Sequence, residues 1–157
     1  MKNEYDTGML GARLAQTRPD LRARFAVVYL RGDLGAGKTT LAQGFLRECG
    51  VSGAVRSPTY ALVHSYSLER ETVVHMDLYR LRAAEELEHL GLTEWAQPGC
   101  LWLIEWPERG AGSLPQADLT VVLGLAAGGH EAHMSAGSTC GAAWLERLAA
   151  LTAARSS

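Results

Sequence analysis

A chain of 157 residues is long enough to bury a real core, and one domain over 1–157 is the expectation. With 47% hydrophobic residues, 20% charged residues and a net charge of −2, the composition is ordinarily globular and argues against a dominant electrostatic grip on nucleic acid. No run approaches the roughly 20 apolar residues that span a bilayer. The start, MKNEYDTGML, has no apolar signal-peptide core, and Cys49, Cys100 and Cys140 have neither disulfide-framework nor metal spacing, so a cytoplasmic protein is expected.

Residues 7–16 (TGMLGARLAQ) read as a helix, with Leu10 and Leu14 one turn apart and Asp6 or Thr7 able to cap it. Pro19-Asp20 breaks the run. Residues 25–30 form an apolar, β-branched stretch with the character of a short buried strand. It leads into Gly32-Asp33-Leu34-Gly35-Ala36-Gly37-Lys38-Thr39, which matches G-x-x-x-x-G-K-[ST] at every fixed position and is followed by Thr40. Leu41, Ala42, Phe45, Leu46 and Cys49 then fall at helical spacing, with Gly50 as a stop.

Each part of that motif has a physical purpose. Glycines at 32, 35 and 37 let the backbone turn tightly and bring N–H groups close to phosphate oxygens. The helix that follows aims its free N–H groups and positive dipole end at the same anion. Lys38 reaches the β- and γ-phosphates, and the Thr39 hydroxyl can ligate Mg²⁺. The chain is therefore expected to bind a nucleoside triphosphate. Guanine-specific proteins usually read the base through Asn-Lys-x-Asp; the only asparagine here is Asn3, which favours adenine, or weak base selectivity, over guanine.

Residues 51–59 read as a loop carrying Ser57-Pro58-Thr59, in the chain position where GTPases keep their first switch. Residues 61–67 and 72–77 are β-rich runs joined by a short polar connection, an antiparallel hairpin. On this reading His64 and His75 are surface or interface residues of that hairpin. Residues 83–90 read as a helix and 93–97 as a further turn. Residues 100–106 (CLWLIEW) suit a central strand buried on both faces. A loop at 110–115, a strand at 119–123, a weakly patterned Gly/Ala-rich stretch at 124–143 with an edge strand at 130–134, and a closing amphipathic helix from Trp144 complete the chain. His130 and His133, three apart on a strand, point to opposite faces and make no metal pair. A phosphate loop between strand and helix, with further strands and helices behind it, implies an α/β three-layer sandwich of the P-loop NTPase type, with a mainly parallel sheet plus an antiparallel hairpin.

Two carboxylates compete for the catalytic position. Glu105 closes the most apolar strand, where P-loop proteins hold Mg²⁺ through water, usually with an aspartate. Asp77 closes the run TVVHMD and serves equally well on pattern alone, as a metal or water-positioning residue or as a turn former. Arg80 suits either phosphate charge or a local pairing with Glu85 or Glu86, and Trp106 adjoins Glu105 beside the nucleotide.

These pieces together resemble the TsaE family of P-loop ATPases. The resemblance rests on Thr7-x-x-Leu10-Gly11-x-x-Leu14-Ala15, Gly32-Asp-Leu-Gly-Ala-Gly-Lys-Thr-Thr-Leu with Gly44, and Ser57-Pro-Thr-Tyr-x-Leu-Val-x-x-Tyr66. It continues with His75-x-Asp-Leu-Tyr-Arg-Leu81, Glu86-Leu-Glu-x-Leu-Gly-Leu92 and Ile104-Glu-Trp-Pro-Glu108, and fades beyond Asp118. It implies a small cytoplasmic ATPase, slow alone, that supports bacterial tRNA threonylcarbamoyladenosine synthesis at A37. Its partners would be a TsaD-like threonylcarbamoyl transferase and a TsaB-like companion, with tRNA reached through that complex. Carried over by position, Lys38 and Thr39 serve phosphate and Mg²⁺, and Glu105 is the Walker-B-like carboxylate. Thr59 and Asp77 line the γ-phosphate side, Trp106 flanks the site, and the Thr7 helix lies near the adenine. The alternatives from other classes are a small-molecule P-loop kinase and a non-catalytic, ATP-dependent interaction module.

Overall fold

The computed structural model describes residues 3–157. Its frame is a six-stranded sheet in the order β2-β3-β4-β1-β5-β6. The inner strands are β1 (Ala26–Arg31), β3 (Thr72–Asp77), β4 (Cys100–Glu105) and β5 (Leu119–Ala126), and β1 pairs in parallel with both β4 and β5 while β3 pairs in parallel with β4. Antiparallel hairpins finish both edges: β2 (Val63–Ser67) with β3, and β6 (Gly129–Ala136) with β5. A parallel strand needs cover on both faces, and all six residues of β4 are buried.

Side chains alternate along each strand, and the alternation separates two cores. Val28 and Leu30 of β1, Val73 of β3, Leu101 and Leu103 of β4, and Leu119, Val121 and Leu123 of β5 face the helices α1 (Glu4–Gln16), α2 (Lys38–Glu48) and α3 (Thr139–Arg155). Val27, Val74, Met76, Trp102 and Ile104 face the other way, onto Leu78, Leu81, Leu87 and Leu92. The third layer is thus thin. The helix expected over 83–90 is a 3-10 segment, Ala84–Leu90, and a second, Leu92–Trp95, follows it.

Several boundaries differ from the sequence reading, β2 starting at Val63 and α3 at Thr139 among them. α1 begins a turn earlier, because Asn3 rather than Asp6 or Thr7 caps it, its Oδ1 accepting from the Asp6 N–H at 3.0 Å. The weakly patterned stretch after residue 124 is regular: β5 continues to Ala126 and β6 runs over Gly129–Ala136, an edge strand with no fully buried residue, only Ala132 and Met134 packing on the core, and hence a weak apolar signature. α3 is capped by Ser138, whose hydroxyl accepts from the Gly141 N–H at 3.1 Å and donates to Asp118 at 2.7 Å. The Trp144 indole then ties α3 to α1 by donating to the Leu14 carbonyl at 3.0 Å.

α1 and α2 lie backbone against backbone. A Cβ at Gly44 would stand 2.1 Å from the Gly8 carbonyl oxygen, and one at Gly11 2.1 Å from that of Leu41. Only glycine permits this approach, and it brings α1 alongside the start of α2.

Candidate functional site

β1 delivers its C-terminal end into the phosphate loop, which closes on α2. Gly35 and Gly37 have φ of +80° and +106°, a left-handed geometry that costs glycine nothing. Gly37 is the N-cap of α2 and supplies no side chain, so the first turn of the helix presents its N–H groups outward. Ala36 turns inward and is buried in the core. Thr7, buried on α1, closes the loop from behind: a Cβ at Gly37 would stand 3.1 Å from the Thr7 methyl.

Lys38 curls back over its own loop, donating from Nζ to the carbonyls of Gly32 at 2.6 Å and Asp33 at 2.9 Å. Its Nζ also lies 4.2 Å from the centre of the Trp106 ring. Burial pushes the Lys38 pKa below its ordinary value, against the pull of Glu105, Glu108, Asp77 and Asp33. A partly buried cation held by carbonyls and a ring is poised to exchange them for an anion.

Strand parity puts three polar side chains on the α2 side of the sheet. Leu101, Leu103 and Glu105 share one face of β4, and Val73, His75 and Asp77 share the same face of β3, with Asp77 opposite Glu105 in register. The Thr39 hydroxyl donates to Glu105 Oε1 at 2.7 Å. Asp77 holds the preceding loop: Oδ2 accepts from the Ser57 hydroxyl at 2.9 Å and the Thr59 hydroxyl at 3.0 Å, while Oδ1 accepts from the Tyr79 N–H at 3.0 Å. Ser57 and Thr59 are themselves 2.8 Å apart.

Trp106 has φ +58° and ψ +48° immediately before Pro107. That is an uncommon conformation for a bulky residue, and a residue preceding proline is normally extended. Strain of this kind costs about 1–3 kcal/mol and clusters at functional sites. Here it swings the indole off the end of β4, 5.0 Å from the Tyr79 ring and over Lys38.

A cleft of about 430 Å³ joins these groups. Thr7, Leu34, Gly35, Gly37, Lys38, Thr39, Thr40, Thr59, Asp77, Glu105 and Trp106 line it, while Gly32, Asp33 and Ala36 shape the loop without lining it. Ser57, Tyr79, Arg80, Glu4 and His130 also line it. His130 arrives from β6, and the signal that could have found it is only its place beside the Gly128-Gly129 turn. Arg80 lies over the Tyr60 ring, 4.4 Å from its centre, rather than against Glu85 or Glu86.

One assignment is overturned. His75 is neither a surface nor an interface residue: it is fully buried, and its Nε2 lies 2.6 Å from Glu105 Oε2. β3 is an inner strand, so a helix-facing residue in its middle, short of the cleft at its C-terminal end, has no route to solvent. The alternation Val73, His75, Asp77 carried the signal, since a histidine two residues before a cleft carboxylate shares its face. Among the described residues no group of three or more His, Cys, Asp or Glu could hold a metal ion, and His133 lies near Glu131 instead.

The family model described as "Threonylcarbamoyl adenosine biosynthesis protein TsaE" matches residues 1–132. The chain belongs to the TsaE family. A TsaE of Haemophilus influenzae is 44% identical over 120 residues, 76% of each chain. One from Bacillus subtilis is 39% identical over 107 residues, 66% of each chain. The crystal structure of Bacillus subtilis YdiB superposes with a TM-score of 0.77 at 27% identity, covering 97% of this TsaE-family chain and 93% of that one. The P-loop fold expected from the sequence is therefore shown, C-terminal third included. No helix among the described residues is long and apolar enough to cross a membrane.

Proposed function

We propose that this TsaE-family protein binds ATP with Mg²⁺ in the cleft, transfers the γ-phosphoryl group to water, and thereby supports tRNA threonylcarbamoyladenosine synthesis. The observation that carries the reading is the Thr39–Glu105 contact of 2.7 Å at the mouth of a phosphate loop that also holds Lys38. A hydroxyl and carboxylates are the hard oxygen donors that suit Mg²⁺, which keeps most of its waters and needs no all-protein cage. Thr39 would hold the ion directly and Glu105 through water; the ion's chemistry is to neutralise charge on the β- and γ-phosphate oxygens.

The remaining work falls to the chain. The amides of Gly35 to Thr39 and the α2 terminus cradle the phosphates. Lys38 leaves the carbonyls of Gly32 and Asp33 for the β- and γ-phosphates. Asp77, with Ser57 and Thr59, forms the wall at the γ-phosphate end, and Glu105 or Asp77 orients the attacking water. Trp106 and Tyr79 shield the site from one side, and Thr7 with α1 lies toward the base. As the family resemblance implies, the chain turns over slowly alone and is raised by a TsaD-like transferase and a TsaB-like companion, through which it meets tRNA in the cytoplasm.

The test is phosphate release from ATP by the chain alone and with a TsaB–TsaD pair, with Lys38→Ala as control. Low release that rises with the pair and vanishes in the variant is expected. Phosphate passed to an acceptor, or turnover unchanged in Lys38→Ala, would overturn the reading.

A further inference from the structure

His75 and Glu105 form a closed pair inside the sheet–helix interface: their side chains are 0% and 2% exposed and 2.6 Å apart. Glu105 thereby spends both oxygens, Oε1 on the Thr39 hydroxyl and Oε2 on the His75 ring. The other ring nitrogen, His75 Nδ1, is buried with no hydrogen-bond partner. A carboxylate only accepts, so the contact requires Nε2 to carry the proton, and a bare Nδ1 is then the inexpensive arrangement, since an N–H there would be an unsatisfied buried donor.

We propose that His75 is a positioning residue for the reaction, fixing the Glu105 carboxylate from the side away from the nucleotide. The inference rests on the hydrolysis reading above and adds the group that makes Glu105 a fixed acceptor. When the Thr39 hydroxyl turns from Glu105 into the cleft, Oε1 of Glu105 loses its donor. A carboxylate held by that single bond would be free to rotate about its last torsion. The Nε2–H of His75 keeps Oε2 in place, so Oε1 remains aimed into the cleft and accepts from whatever donor replaces Thr39. His75 does not touch the cleft; it acts through Glu105. β3 therefore secures both carboxylate systems, Asp77 by carrying it and Glu105 by gripping it.

The test compares His75→Leu, which removes the donor, with His75→Gln, whose amide N–H reaches the same oxygen. Thermal melting and affinity for ATP, with its fluorescent analogue as the probe, verify that each variant folds and binds. We expect nucleotide affinity within about threefold of the parent, phosphate release at saturating ATP and Mg²⁺ down at least tenfold in His75→Leu, and recovery to within threefold in His75→Gln. His75→Leu should have no further effect in a Glu105→Gln background, as coupled residues require. Independently of turnover, the histidine ring ¹⁵N spectrum of the nucleotide-free protein should show the Nε2–H form for His75. It should shift in Glu105→Gln and stay unchanged in Lys38→Ala. Equal losses in the Leu and Gln variants, multiplicative losses with Glu105→Gln, or a His75 resonance indifferent to Glu105→Gln would overturn the proposal. If the parent releases no more phosphate than Lys38→Ala while the His75 resonance still follows Glu105, the hydrolysis reading has failed and the positioning role falls with it, leaving a structural contact.

Discussion

Asp77 and Glu105 occupy the same rung of the β3–β4 ladder, yet they hold different parts of the cleft. Asp77 grips Ser57 and Thr59 of the loop before β2; Glu105 takes Thr39 of α2. Asp77→Asn and Glu105→Gln should each lower phosphate release by about a hundredfold, the scale of losing one group that orients charge in a transition state, with nucleotide affinity changed only a few-fold. Turnover and affinity measured on both variants check this. A variant that loses affinity as steeply as turnover would place its residue in binding.

Lys38→Met should separate stability from function. The buried ammonium is held by two carbonyls and a ring, and burial already works against its charge. Its removal should leave the melting temperature of the nucleotide-free protein within about 2 °C. A ligand at a hundred times its Kd stabilises by about 2.7 kcal/mol, and at about 2–4 °C per kcal/mol for a chain of this size the parent should gain roughly 5–10 °C with saturating nucleotide. Lys38→Met should gain almost none. Differential scanning fluorimetry with and without nucleotide reads both.

Gly44→Ala should separate α1 from α2. The new methyl would stand 2.1 Å from the Gly8 carbonyl oxygen, where only backbone movement relieves it. Overpacking of this kind costs about 1–3 kcal/mol, a fall of roughly 2–12 °C in melting temperature. Because α1 also presents Thr7 to Gly37, nucleotide affinity should fall with it. A stable Gly44→Ala protein with unchanged affinity would show that α1 is not a wall of the site.

Cys49 should titrate late. Burial pushes its thiol up to about 12 from an ordinary 9.0, with Arg18 opposing and Glu71 and Glu48 assisting. A pKa raised in the folded state means that its contribution to stability is fully present below pH 9 and is lost as pH rises toward 12. Cys49→Ala should therefore flatten the decline in stability across that window, measured by denaturant unfolding at successive pH values. At pH 8 the parent thiol should alkylate far more slowly than in the unfolded chain.

The parts of the fold written locally were readable in the sequence. The phosphate loop announces itself by fixed spacing, and β4 by an uninterrupted apolar run ending in Glu105. α1 is legible but reads as starting late, because Asn3 lies ahead of the first apolar pair and a cap is a single residue. β6 is faint because none of its residues is fully buried and its core-facing positions, Ala132 and Met134, are too few to set a clear apolar rhythm. His75 was misassigned for a different reason: a hairpin suggests an edge, and only the pairing of β3 with a strand far along the chain buries it. His130 enters the cleft by the same kind of long-range closure.

That closure bears on how the protein is made. β1 leads directly into the phosphate loop, yet both strands that flank it come much later in the chain, Ala26 standing beside Leu101 and Val28 beside Leu119. During synthesis the ribosome releases the loop motif early, with neither neighbour yet available to hold it. A nascent chain halted before β5 would carry the whole signature sequence and still lack one side of the strand that supports it. On the proposed function, nucleotide capture would thus have to wait until synthesis has passed β5, well beyond the motif that performs it.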